Sequence, residues 1–255
     1  MAVMSRRIYY NVPCILFRDF LKSDMHTERV LADVLYYAVY VEYLRLQDKE
    51  SDEAKRFSMA CYNMGCSDQS ISNSYDYAIE RGELLYTSGM GEAFCSIDNE
   101  KYWRMVNDNP TTEEKALFLA WIALKSIIGN KPYIKTNNAL WLSRMDGSST
   151  IKSRPYKKKT IYSEEIEKYN SLYRCRRLRA LLFDYYHVSF FSDGVRGFYF
   201  SLTLGMEELI RAVKQRPKTD AIGKFNDAKK KALEALNHDC NHDFNHDFNH
   251  NCNLK

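Results

Sequence analysis

The chain has 255 residues and a formal net charge of +4, and its composition, 45% hydrophobic and 14% aromatic, is sufficient for one or two small domains. Its seven cysteines include no C-x-x-C pair, which disfavours a disulfide framework or a zinc site. No uncharged apolar stretch reaches membrane-spanning length, and the first residues lack a secretory apolar region, so we expect a cytoplasmic protein without a membrane partner.

The first 111 residues predict a helical domain that ends in a β-hairpin. Apolar periodicity and N-cap residues predict three helices, over residues 27–47, 51–64 and 67–80. The third has a predicted buried stripe of Ile71, Tyr75, Ala78 and Ile79. Its opposite face carries Gln69, Asn73, Asp76 and Glu80. Residues 84–87 and 93–97 flank a glycine-containing turn and predict the hairpin.

The next 105 residues predict the same order of elements. The predicted helices span residues 112–128, 136–145 and 163–183. Residues 187–192 and 195–203 are aromatic and β-branched runs around Asp193 and Gly194, which predicts a hairpin. Helices followed by a hairpin are the order of a winged helix. We therefore predict an α+β, mostly helical fold of two tandem winged helices, with a linker and disordered tail at the end. These domains span residues 1–111, 112–216 and 217–255.

A basic patch lies in the second half. From Lys152 to Arg179 there are ten basic residues and three acidic ones, a net of +7. A local field of one sign attracts a polyanion, so the patch predicts a phosphate-bearing partner. Five of these cations precede the long helix, in a stretch with Pro155 that predicts an exposed loop. They are Lys152, Arg154, Lys157, Lys158 and Lys159.

The helix predicted over residues 163–183 has one apolar and one polar face. The predicted buried stripe comprises Leu172, Cys175, Leu178, Leu181 and Leu182. The opposite face carries Tyr169, Asn170, Tyr173, Arg176 and Arg177, with Arg174 at its edge. Guanidinium and carboxamide groups suit phosphate oxygens and base edges, so we predict binding to double-stranded DNA through this face. The alternative is a solvated helix whose arginines only cover the surface.

The two halves differ in charge, which predicts different roles. Residues 1–111 carry 12 basic and 17 acidic side chains, a net of −5, whereas residues 112–216 carry 19 and 10, a net of +9. Because acidic groups repel phosphates, we expect the first half to dimerise or to dock on other proteins. Gln69 and Asn73 leave a secondary DNA contact open, since amides can read bases.

The domain order and the charge split resemble the two-domain winged-helix replication initiators of plasmids and related mobile elements. The resemblance covers about residues 8–216 and implies a first domain that mainly dimerises and a second that binds repeated origin sequences. It implies replication or transcription proteins as further partners. By position, it implies DNA contacts from the outward helix face, from the lysines at 157–159 and from Arg196 in the hairpin. The loop over residues 147–163 is longer than the turn of about three or four residues in a helix-turn-helix.

Catalytic motifs are absent from the sequence, which predicts a protein without enzymatic activity or cofactor. Neither a G-x-x-x-x-G-K-[ST] nor a G-x-G-x-x-G motif occurs. Only His26 and His187 precede residue 237, so the paired histidines of a rolling-circle nickase are missing. Two other functions stay open, a dimeric winged-helix transcription regulator and a protein-interaction adaptor. Binding of a protein by the adaptor would depend far less on salt than DNA binding does.

The tail repeats His every four residues, which suggests a metal site in helical form. These histidines are His238, His242, His246 and His250. Because Asn, Asp and His are poor helix formers and the tract is compositionally biased, we favour disorder and expect no metal.

Overall fold

The computed structural model describes residues 7–66, 75–151, 161–194 and 196–215. These residues are mostly helical with two small sheets, which confirms the predicted α+β class. Those up to Arg211 belong to one compact unit, and a second unit begins at Ala212, within the last helix. In the described ranges, no helix combines the length and the apolar character that a bilayer crossing requires.

The first half contains two strands and four α-helices among its described residues. In chain order they are β1 (Tyr9–Pro13), a 3₁₀ turn (Cys14–Phe17), α1 (Asp24–Arg45), α2 (Glu53–Asn63), α3 (Tyr75–Ser88), β2 (Phe94–Asp98) and α4 (Asn99–Asn107). The helices predicted over residues 27–47 and 51–64 are confirmed as α1 and α2. Residues 67–74 of the third predicted helix lie outside the described residues, and with them lie Gln69, Ile71 and Asn73.

The predicted hairpin of the first half is wrong, because residues 84–87 belong to helix α3. Ala78, Gly82 and Leu85 are buried at spacings of four and three, so the apolar face of the helix continues past the predicted end. Gly82 permits close contact with α1, since a Cβ there would lie 2.5 Å from Cβ of Tyr40. Strand β2 pairs antiparallel with β1, with Val12 opposite Cys95.

The second half contains five helices and three strands among its described residues. They are α5 (Thr112–Ile128), β3 (Ile134–Thr136), α6 (Asn138–Met145), α7 (Glu164–Glu167), α8 (Leu172–Tyr186), β4 (Ser189–Phe191), β5 (Phe198–Ser201) and α9 (Met206–Gln215). A capping box of Thr111 and Glu114 starts α5, and the Asn137 side chain caps α6. The first two predicted helices are thereby confirmed.

The single helix predicted over residues 163–183 is wrong, because the chain forms two helices there. After α7 the helical backbone is interrupted, and the Ser171 hydroxyl accepts a hydrogen bond from the Arg174 N–H to start α8. Asn and Ser favour caps over helix interiors, so Asn170 and Ser171 explain the interruption.

The predicted second hairpin is confirmed, and a third strand extends it. β4 and β5 pair antiparallel, and β3 pairs with the other edge of β5, giving the order β3-β5-β4. Gly197 has a positive φ of 95°, and a Cβ there would lie 2.3 Å from the Thr136 carbonyl oxygen. Glycine is therefore required where the hairpin approaches β3. The Trp141 ring of α6 packs edge-on against Phe198, at 5.9 Å between centroids.

One hydrophobic core spans both halves. Phe20 of the first half packs against Phe118 of α5, with 6.1 Å between ring centroids. The Lys115 ammonium donates a hydrogen bond of 2.6 Å to the Asp24 carboxylate across the same junction. The division into two domains at residue 111 stays a prediction, and the two halves pack on each other through this core.

Candidate nucleic-acid interface

One apolar face of helix α8 packs on the core. The opposite, exposed face is the α8 ridge, which comprises Tyr173, Arg174, Arg176 and Arg177. Cys175, Leu178 and Leu182 are buried, at the spacing of three and four predicted for the stripe. The predicted placement of Leu172 in that stripe is wrong, because this residue begins the helix and is 57% exposed. The interruption before α8 moves Leu172 away from the core, since the stripe no longer extends toward α7.

Two predicted DNA-contact residues lie free on the exposed ridge. Tyr173 is 74% exposed, and Arg176 is exposed as well. Within the described part of the chain, neither side chain has a hydrogen-bond or ion-pair partner. Both are therefore available to another molecule without the loss of an internal contact.

Three other predicted residues have partners inside the protein. The Asn170 amide donates to the Glu167 carboxylate at 3.2 Å, and the Arg174 guanidinium donates to the Lys168 carbonyl oxygen. Arg177 forms an ion pair of 2.7 Å with Glu113 of α5. These groups are exposed, so each could exchange its partner for a phosphate, but each exchange costs an existing contact.

Tyr169 does not lie on the outward face that the helical wheel predicts. It precedes α8 and packs, half-buried, against the core. Burial raises the pKa of the Tyr169 phenol, and the nearby Glu113 carboxylate adds to this effect. The prediction that Tyr169 shares a helix face with Tyr173 is therefore wrong.

The remaining predicted cations flank α8 in the sequence. Lys152, Arg154, Lys157, Lys158 and Lys159 lie outside the described residues. Arg196 is exposed in the loop that joins β4 to β5. In the same loop Asp193 pairs with Lys135 of β3 at 3.2 Å, which leaves one fewer acidic group free near Arg196.

A cleft of about 440 Å³ lies between α8 and the three-stranded sheet. We call it the aromatic cleft. Its lining comprises Arg176, Arg179, Ala180, Phe183, Asp184, Phe190, Phe191, Ser192, Phe198 and Met206. Arg179 lies with its Cζ 4.7 Å from the Phe198 ring centroid, a cation–π contact. Burial lowers the pKa of the Arg179 guanidinium, which stays protonated at neutral pH.

The sequence predicts these aromatic residues only as strand or helix positions, and Arg179 only as part of the basic patch. The run of Phe190 and Phe191 gives a local strand signal, but nothing local indicates that α8 lies across the sheet. A pairing of aromatic strand residues with arginines at a spacing of three on the preceding helix is the signal that could have indicated the cleft.

A second cleft, of about 400 Å³, lies on the opposite flank of α8. It is lined by residues of α4, α5 and the C-terminal part of α8, among them Tyr185. Its lining includes two cations, Lys101 and Arg104, and three carboxylates, those of Asp108, Glu113 and Glu114. This mixture of signs gives no preference for a polyanion.

The described residues contain no group of three His, Cys, Asp or Glu side chains that could hold a metal ion. The histidine repeat of the tail lies outside the described residues. Comparison with models of protein families, with curated proteins and with solved structures found no match to this chain.

Proposed function

We propose that this chain is a sequence-specific double-stranded DNA-binding protein in which α8 enters the major groove. The observation that carries the proposal is the exposed ridge of α8, where Tyr173 and Arg176 have no partner among the described residues. The major groove is about 12 Å wide and accommodates an α-helix. Free Arg and Tyr side chains on such a helix suit phosphate oxygens and base edges.

The architecture around α8 supports a winged helix in the second half. Helices α5, α6 and α8 precede the hairpin, and β3 joins that hairpin as its third strand. In a winged helix the third helix is the one presented to DNA, and the hairpin reaches toward the flanking backbone. Arg196 lies in the hairpin loop, where a cation can meet a phosphate.

Within this proposal we favour origin binding of the replication-initiator kind on a mobile element, with self-association through the acidic first half. A dimeric transcription regulator differs in the symmetry of its site. A dimer with two-fold symmetry binds a palindrome, whereas initiators bind direct repeats. Selection of bound sequences from a random duplex library distinguishes them, because the two functions predict different repeat orientations in the selected DNA.

The Arg176→Ala variant tests the role of α8. Loss of one phosphate contact should flatten the slope of log affinity against log salt by about one, and loss of a base contact should cost about 1–3 kcal/mol on the selected site. Arg29→Ala is the matched control, since Arg29 is exposed on α1 in the acidic half. If both variants bind duplex DNA like the parent protein, α8 is not the DNA-contacting helix.

A protein-interaction adaptor is the second candidate, and one observation favours it. Helix α8 exposes large apolar side chains, with Leu172 57% and Tyr185 70% exposed. Exposed apolar groups of this kind can mark protein interfaces. Binding to a protein through them would show little salt dependence, and no sequence would be selected from the duplex library.

A further inference from the structure

The aromatic cleft has a chemistry that duplex recognition by the α8 ridge does not use. On the sheet side, the partly exposed Phe190 packs on Phe198 at 5.8 Å between ring centroids. Phe198 itself is buried and has the Arg179 guanidinium over its ring, whereas Phe183 of α8 is at the rim and 46% exposed. Inside a duplex, bases stack on each other and cannot reach such rings. Bases of a single strand do stack on aromatic side chains, and they do so with little sequence preference.

The lining of the cleft carries two positive charges and one negative charge. Arg176 and Arg179 both line it, and in the described part of the chain neither forms an ion pair with a carboxylate. Their side chains lie three residues apart on α8, so the two guanidinium groups face the same side of the helix. The single negative charge of a backbone phosphate would be attracted by both guanidinium groups.

One acidic group completes the lining. Asp184 is the only carboxylate among the lining residues, and as an acceptor it suits the N–H groups of a base edge. The volume of about 440 Å³ lies within the range of about 300–1,000 Å³ typical of small-ligand sites. Aromatic rings, two cations and one acceptor together match a nucleotide, with its planar base and its phosphate.

We propose that the aromatic cleft binds one unstacked nucleotide of a DNA single strand, with the base against Phe183 and Phe190 and the phosphate at Arg176 and Arg179. The choice of DNA as the polymer rests on the proposed function. Such a site would let the protein hold a strand after the duplex has opened, an activity beyond binding to the closed duplex.

Fluorescence anisotropy with a labelled 20-mer of thymidylate tests this site on the full chain. Phe183→Ala should weaken binding about 5- to 150-fold, because base–aromatic stacking has that value per base. Tyr185→Ala, on the opposite flank of the same helix and 70% exposed, should leave the affinity within about twofold. Circular dichroism should show both variants folded, since both side chains are solvent-exposed.

An abasic 20-mer of equal charge separates base stacking from phosphate binding. The parent protein should prefer the thymidylate strand over the abasic strand, and Phe183→Ala should remove that preference. Equal binding of both strands by the parent protein would overturn the proposal. So would equal effects of Phe183→Ala and Tyr185→Ala on thymidylate binding.

Duplex binding distinguishes this inference from the proposed function. Phe183→Ala should leave affinity for the selected duplex unchanged, because stacked duplex bases cannot reach its ring, although Arg176 can serve both the duplex and the cleft. If the parent protein binds the single strand but no duplex, the proposed function fails and the cleft assignment stands. If Phe183→Ala weakens duplex and single-strand binding equally, the cleft belongs to the duplex interface and the assignment to an unstacked nucleotide fails.

Discussion

At the scale of single residues, the partner of a side chain determines its availability more than its type does. Arg176 and Arg177 are neighbours on α8, yet Arg176 has no partner in the described part of the chain while Arg177 pairs with Glu113. A helical wheel assigns both to the outward face, because it contains no information about α5. Residue types predict which side chains suit DNA, and the tertiary structure decides which of them are free.

Removal of the Glu113 charge should make Arg177 available. We expect Glu113→Gln to raise affinity for duplex DNA and to steepen the salt slope by about one, as one more cation reaches a phosphate. The ion pair is exposed, so stability should fall by less than about 1 kcal/mol. Titrations over a series of salt concentrations measure the slope.

Glu207→Gln in α9 is the matched control for this prediction, because it makes the same charge change at an exposed residue outside the α8 ridge. An equal gain from both variants would mean that net charge alone sets the affinity. In that case Arg177 has no specific role in the interface.

At the scale of elements, helices with strong local signals are predictable and interruptions are not. Helices α1, α2, α5 and α6 all follow from apolar periodicity and N-caps. The residues at 84–87 favour a β-strand locally, so the sequence does not predict that α3 extends over them. Packing of Gly82 and Leu85 against the core outweighs this local preference. The short helix α4 has an Asp98 N-cap, a signal that the sequence does provide.

The strands show the limit of local signals most clearly. The β4–β5 hairpin is predictable because its partners are adjacent and flank Asp193 and Gly194. Strands β1 and β2 pair across about 80 residues, as do β3 and β5 across about 60, and no local pattern fixes such partners. The aromatic cleft depends on the packing of α8 across β4 and β5, which the signals of the separate elements do not fix.

The start of α8 depends on a single hydroxyl. We expect Ser171→Ala to lower the free energy of unfolding by about 1 kcal/mol, the usual effect of losing an N-cap hydrogen bond. Ser163→Ala is the matched control, because Ser163 precedes α7 without a side-chain capping bond. Urea unfolding should show a clearly smaller loss for Ser163→Ala. Equal losses would mean that the Ser171 hydroxyl does not determine where α8 begins.

At the scale of the whole molecule, the charge difference between the halves indicates two roles, whereas their packing indicates one folded unit. The halves carry net charges of −5 and +9, which predicts separate roles. Their side chains nevertheless share a core, with Tyr102 of α4 and Trp121 of α5 in one cluster of buried residues. The charged side chains lie at the surface and the shared core lies in the interior. The acidic and basic surfaces can therefore belong to two halves that fold as one cooperative unit.

Phe118 tests whether the halves unfold together. Its ring is fully buried and contacts Phe20 of the first half and Trp121 of the second. We expect Phe118→Ala to lower the free energy of unfolding by about 3–5 kcal/mol, from lost burial and a residual cavity. Phe183→Ala, at an exposed site, should cost within about 0.5 kcal/mol.

Hydrogen exchange with mass spectrometry locates the effect of Phe118→Ala. If the shared core makes one cooperative unit, amides of α1 in the first half and of α6 in the second should lose protection together, by a similar factor. If only α6 and its neighbours exchange faster, the halves are independent domains that merely touch. The boundary predicted at residue 111 would then also be a boundary of folding, and the first half could unfold while the fold around α8 persists.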